Sequence, residues 1–295
     1  MQDAFAAYEG VRHRLPVPTR QAACRELASL DDLAEDFDVF LLDAFGVLNI
    51  GETAIEGVPE RVARLQKAGK RVVVVSNAAG YPHSNLMQKY ARLGYDFVPE
   101  DVITSRKTLL HALHKETPRK WGLMANERLG REDIEDFNMS YLAEDIAQYD
   151  AAEAFVLLGS AVWNEDRQNL LETSLKQDPR PVFVGNPDIV APRETGFSVE
   201  PGAFAHRLAD ATGVEPQFFG KPFSNIFDLA FAHLGDIDPA RTVMVGDSLH
   251  TDILGGQASG LKTALIANYG FFAGHDLSAA IAASGIEPDF ILSRP

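Results

Sequence analysis

The sequence predicts an α/β protein with a mainly parallel sheet, and three observations predict it. Apolar runs of strand length recur along the chain, segments of helical apolar spacing separate them, and the runs end in Asp, Ser, Asn or Gly. Residues 1–36 read as a helical, charged lead-in, with Thr19 capping the segment from Arg20 to Leu27. The run Val39-Phe40-Leu41-Leu42 is a buried parallel strand that delivers Asp43 to its carboxyl end and then turns on Gly46. Residues 59–70 are helical, with Val62, Leu65 and Ala68 on one face and a stop at Gly69. The run from Arg71 to Val75 is a second strand ending in Ser76-Asn77, which completes a βαβ unit. A helix over 84–93, stopped by Gly94, leads to a third strand over 101–105.

The texture then changes. Residues 121–150 are charged and loop-like, a new strand appears at 154–159, a helix follows over 165–176, and a strand at 181–184 ends in Gly185-Asn186-Pro187-Asp188. Residues 116–201 are therefore expected to form an inserted second domain, with 1–115 and 202–295 forming the first. The first domain resumes with helices over 203–212 and 226–234, the segment Gly220-Lys221-Pro222, and strands at 242–246 and 262–266. Gly255, Gly256 and Gly260 read as caps and packing points around a short helix.

Composition narrows the function. At 295 residues, with 46% apolar and 23% charged side chains, the chain is globular and long enough for a sizeable core. A net charge of −15 disfavours nucleic acid and anionic membrane as partners, so a small anionic substrate needs a local positive site. No apolar run approaches the length of about eighteen residues that spans a bilayer, and the first residues lack the basic and apolar regions of a secretory signal. The expected location is cytoplasmic. Cys24 is the only cysteine, which excludes an intrachain disulfide and fits a reducing compartment.

Four polar signals share a logic: Asp43, Ser76-Asn77, Gly220-Lys221-Pro222 and Gly246-Asp247 with Asp252 each follow an apolar strand or sit beside a glycine. In open α/β sheets such positions converge at the carboxyl ends of the strands. An Asp, a Ser, a Lys and an acidic pair suit phosphoryl transfer: a carboxylate acts as nucleophile while the other groups neutralise phosphate charge. Asp43 and Asp247 suit a hard cation, Mg²⁺ above all, and Lys221 and Ser76 suit phosphoryl oxygens. His250 lies between the two acidic residues of the last motif and is a further candidate for the cleft. The turn chemistry of Asn186-Pro187-Asp188 equally explains that motif without a ligand.

The ordered set resembles the motifs of the haloacid dehalogenase superfamily. With Gly185-Asn186-Pro187-Asp188 included, it resembles the class IIA branch, which holds p-nitrophenyl, sugar, nucleotide and pyridoxal phosphate phosphatases. The resemblance runs from Asp38 to Asn268 and implies a Rossmann-like core with an inserted α/β cap. It implies that Asp43 accepts the phosphoryl group, that Ser76 and Lys221 bind it, and that Asp43, Asp247 and the Phe45 carbonyl hold Mg²⁺ with Asp252 in support. Phe45, Gly46, Asn77, Asn186 and Asp188 become candidates for phosphate or substrate contact. It further implies a small phosphorylated metabolite as substrate, and it leaves room for a homodimer through the cap.

One position departs from the pattern. Phosphatases of this superfamily carry a second Asp two residues after the nucleophile, as acid to the leaving oxygen and base to the hydrolytic water, and here that residue is Phe45. Loss of a positioned acid or base typically lowers a rate by roughly 10²–10⁴-fold. Three functions therefore stay open: an Mg²⁺-dependent phosphohydrolase using another proton source, a phosphoryl-ligand binding or regulatory protein with weak turnover, and cleavage at a carbon centre.

Overall fold

The computed structural model describes residues 2–18, 24–192 and 196–295. Its larger sheet has seven strands in the order Arg25–Leu27, Phe290–Leu292, Lys262–Ile266, Thr242–Gly246, Val39–Leu42, Arg71–Ser76, Val102–Thr104. Every neighbouring pair is parallel. Val39–Leu42 is buried at all four positions because helices cover both faces, which explains a continuous apolar run instead of alternation. Leu42 pairs with Val245 on one side and Val74 on the other, so the residues after these strands emerge side by side. The strand order runs outward in both directions from Val39–Leu42, and the crevice beside such a reversal is where open sheets hold ligands.

The second sheet has five strands, Gln217–Phe218, Val182–Val184, Ala154–Leu157, Trp121–Met124 and Met139–Tyr141, again all parallel. Two expectations are corrected here. Residues 121–150 are not loop-like: they hold two of these strands and the helix Ile146–Asp150. Trp121–Met124 is fully buried, and Gly122 lies where a Cβ would come 2.7 Å from the Phe155 ring, so close sheet packing outweighs the glycine's weak strand preference. The second lobe also extends past 201. Ala205 and Leu208 of the helix Pro201–Thr212 pack with Val182 and Val184, and Phe218 closes the sheet edge.

The lead-in is only partly helical. Gln2–Gly10 is a helix, but Arg25–Leu27 is an edge strand paired with Phe290–Leu292, a partner no local pattern reveals. The proposed Thr19 cap lies outside the described residues. Gly255 and Gly256 are packing points: Cβ atoms there would meet Phe227 and Thr263 at 2.8 Å. Among the described residues no helix is long and apolar enough to cross a membrane.

Candidate active site

The floor of the site is built at the carboxyl ends of three adjacent strands. Asp43 extends its strand by one hydrogen bond, donating its N–H to the Val245 carbonyl at 2.9 Å. The chain then turns through Gly46, whose φ of 76° suits glycine. A Cβ on Gly46 would lie 2.5 Å from an Asp247 carboxylate oxygen, and one on Gly270 would lie 1.9 Å away, so two glycines admit this carboxylate. Its Oδ2 accepts the Phe271 N–H at 2.8 Å. Asp252 reaches back from the turn Leu249–Ile253, and its Oδ2 accepts the N–H groups of Asp247 at 3.1 Å and Ser248 at 3.0 Å.

Lys221 joins these groups. Its Nζ lies 2.7 Å from Asp43 Oδ1 and 2.7 Å from Asp252 Oδ1, in a side chain that is 2% exposed. Burial disfavours the ammonium, but Asp252 and Asp43 outweigh it and hold the Lys221 pKa above its ordinary value. Asn77 fixes the Lys221 peptide from both sides: its Oδ1 accepts the Lys221 N–H at 2.8 Å and its Nδ2 donates to the Lys221 carbonyl at 2.9 Å. Gly220 brings the backbone this close, since a Cβ there would sit 2.6 Å from Asn77 Oδ1. Ser76 is buried at the next strand end, and its Oγ accepts the Ala78 N–H at 3.3 Å.

Carboxylate oxygens of Asp43, Asp247 and Asp252 lie within 4.8 Å of one another. Burial, followed by the charges of Asp43 and Asp252, pushes the Asp247 carboxyl well above the carboxylate range, and burial lifts Asp252 to about 6. Facing three carboxylates with one ammonium leaves an excess of negative charge in a desolvated place. A hard divalent cation with oxygen ligands fits that donor set and would return these acids to their ionised forms.

Above the floor lies a cavity of about 840 Å³ between the two lobes. Phe45 faces it half-buried, as do Asp188 from the second sheet and Ser160 beyond it, with the exposed Val199 at its rim. Asp188 Oδ1 accepts Asn77 Nδ2 at 2.7 Å. Asn186 borders the cavity, but its amide serves the turn: Oδ1 accepts the Asp188 N–H at 3.0 Å and Nδ2 donates to Glu200 at 3.1 Å. The structure thus brings Asp43, Ser76, Asn77, Lys221, Asp188, Asp247 and Asp252 together at one end of the cleft.

His250 is not among them. It is 1% exposed beneath the N-terminal helix, with Nε2 2.5 Å from Glu9 and its ring stacked 5.1 Å from Tyr8. Tyr8, which motif reading missed, borders the cavity, and its hydroxyl accepts the Ile189 N–H at 3.3 Å. The sequence signal was slight: Phe5 and Tyr8, one helical turn apart, both pack on His250. Cys24 lies outside the cleft, where burial and the acids Glu287, Asp289 and Glu26 push its thiol up to about 11.

A haloacid dehalogenase-like hydrolase model matches residues 40–139 and a HAD-hydrolase-like model matches residues 218–294. Glycerol-3-phosphate phosphatase of Gallus gallus is 31% identical over 276 residues, covering 86% of this chain and 88% of its own. The chain belongs to the haloacid dehalogenase superfamily. It is a hydrolase of the class IIA branch, whose members among its relatives are phosphatases. A possible sugar phosphatase of Cytophaga hutchinsonii has the same fold, with a TM-score of 0.80 at 24% identity over 92% of this chain and 98% of that one. The fold is also that of glycerol phosphate phosphatase of Mycobacterium tuberculosis, solved with magnesium, with a TM-score of 0.70 at 22% identity over 89% and 76% of the two chains.

Proposed function

We propose that this protein is an Mg²⁺-dependent phosphohydrolase that acts on a small phosphorylated metabolite through an aspartyl-phosphate on Asp43. The observation that carries the reading is the meeting of Asp43, Asp247 and Asp252 with Lys221 at one strand-end site. Lys221 holds one Asp43 oxygen and so orients the carboxylate before substrate arrives. The Lys221 ammonium and the Ser76 hydroxyl bind phosphoryl oxygens, and they act strongly because both groups are buried. Asp43, Asp247 and the Phe45 carbonyl would hold the cation, with Asp252 steadying Lys221 and the turn that carries Asp247. When bound, the ion neutralises charge on the transferring phosphoryl group. The second lobe acts as a cap that excludes water and selects the substrate. The net charge of −15 and the single cysteine support a cytoplasmic setting without nucleic-acid or membrane partners.

Phe45 favours a second reading, in which the cleft binds a phosphoryl ligand and turns it over weakly. Phosphate release from aryl, alkyl and sugar phosphates, with Mg²⁺ and with EDTA, separates the two. Multiple turnovers that require Mg²⁺ and vanish in Asp43→Asn support the phosphohydrolase. Saturable binding with no more than one phosphate released per chain supports the binding protein.

A further inference from the structure

We propose that Asp188 is the acid and base that Phe45 cannot be, giving a proton to the departing oxygen and then taking one from the attacking water. The proposal rests on the phosphohydrolase reading above. Displacement at phosphorus is in line, so the leaving oxygen lies on the side away from Asp43. With Asp43 on the floor, that side faces the second lobe, and Asp188 borders the cavity from there.

The other acids on the cavity wall are otherwise engaged. Glu52 pairs with Lys89 at 3.0 Å, and Glu200 accepts from Asn186 and Ser198. His250, a candidate for the cleft from its position between Asp247 and Asp252, lies under the N-terminal helix against Glu9.

Asp188 is held in the way a proton-transfer group requires. One oxygen accepts Asn77 Nδ2 at 2.7 Å, and the same Asn77 grips both sides of the Lys221 peptide. The carboxyl is thereby registered to the phosphate-binding ammonium through a single side chain. No donor among the described residues reaches its second oxygen. The turn beneath it has no slack: a Cβ on Gly202 would lie 2.1 Å from the Pro187 carbonyl oxygen.

The titratable groups around it are Asp43 and Lys221 from the floor, Glu200 from the start of the helix Pro201–Thr212, and Tyr8 from the N-terminal helix. Burial pushes the Asp188 carboxyl up to about 7; Asp43 and Glu200 add to this, while Asn77 and Lys221 oppose it. A carboxyl in that range supplies both protonation states near neutral pH.

The step balances. An Asp43 oxygen bonds to phosphorus, the bond from phosphorus to the leaving oxygen breaks with its electron pair on that oxygen, and the Asp188 proton neutralises it. Water then occupies the vacated position, its oxygen bonds to phosphorus, and its proton goes to Asp188. Asp43 leaves as a carboxylate, inorganic phosphate is released, and Asp188 is again protonated.

The test compares the full-length protein, Asp188→Asn and Asp188→Asn with Phe45→Asp, each with Mg²⁺, on glycerol 3-phosphate and 4-nitrophenyl phosphate. Asparagine keeps an oxygen for Asn77, and an unchanged circular dichroism spectrum checks the fold. Turnover of glycerol 3-phosphate is expected to fall about 10²-fold or more in Asp188→Asn. The nitrophenyl ester is expected to give a burst stoichiometric with enzyme and then a slow phase, because its leaving group needs no acid while the water still needs a base. The added Phe45→Asp restores part of the alkyl rate. An alkyl rate within about threefold of wild type in Asp188→Asn, or equal losses on both substrates with no burst, overturns the proposal. Failure of the wild-type chain to release phosphate from either ester in an Mg²⁺-dependent way overturns the phosphohydrolase reading instead.

Discussion

The floor and the roof of the cleft are assembled by different means. On the floor, Asp43, Ser76 and Asp247 each stand at or just beyond the end of a strand in one parallel sheet, and Asp252 returns to its own strand end through two backbone N–H groups. Their spacing follows from sheet geometry, since neighbouring strands lie about 4.8 Å apart. On the roof, Asp188 is placed by a side chain 111 residues away in sequence, and Ile189 by Tyr8, 181 residues away. The three strand-end residues thus owe their spacing to the backbone, whereas Lys221, held by Asn77 from 144 residues away, and the roof depend on contacts between distant segments. Chemistry common to a superfamily can persist on such a floor while the roof changes, and the proton-transfer role proposed for Asp188 in place of position 45 is such a change.

The largest expected effect tests the floor. Asp43→Asn should abolish Mg²⁺-dependent turnover, by about 10⁴-fold or more, with circular dichroism unchanged. Asp247→Asn should weaken Mg²⁺ binding, read by calorimetry, by more than about tenfold, because it removes one of three carboxylates that share a desolvated site. Unaltered binding would place the cation elsewhere and remove the distinction between the two walls.

Much of the floor was legible because its residues announce themselves locally. A buried run closing on Asp43, another on Ser76-Asn77 and another on Gly246-Asp247 place polar groups at strand ends without knowledge of the tertiary fold. Asn77 and Asp188 were both candidates through the family resemblance, but the hydrogen bond between them, across 111 residues of sequence, was not legible. The edge strand Arg25–Leu27 was hidden because the strand it pairs with, Phe290–Leu292, lies at the other end of the chain. Trp121–Met124 was hidden by Gly122, whose missing side chain makes room for Phe155 and Leu142. Tyr8 had no motif, and its role depends on how a helix outside the sheet docks against the turn bearing His250.

A smaller effect sharpens the contrast between positions 45 and 188. Phe45→Asp alone should change alkyl-phosphate turnover by less than about threefold, since Asp188 already supplies the proton, whereas the same substitution in Asp188→Asn should raise it about tenfold. A tenfold gain in the otherwise wild-type chain would show that the proton is missing there.

The smallest effect concerns the second lobe's stability. Burial lowers the His206 pKa from 6.5 to about 4; its ring stacks 4.8 Å from Phe218, and Nδ1 has no hydrogen-bond partner among the described residues. Below pH 6.5 the unfolded imidazole takes up a proton that the folded one refuses until about pH 4, so stability falls as pH drops through that window. The loss is at most about 3 kcal/mol. Denaturant titrations from pH 7 to pH 4 should show a shallower decline for His206→Phe than for wild type, and parallel declines would remove His206 from the account.

The central claim, phosphoryl transfer through Asp43, is tested most directly by rapid acid quench of the wild-type protein turning over 4-nitrophenyl phosphate with Mg²⁺, followed by mass spectrometry of its peptides. The expected result is a phosphate adduct on Asp43 that forms within the first turnover, is absent with EDTA and is lost on mild base treatment. Steady turnover with no adduct on Asp43, or with the phosphate on another residue, would contradict it.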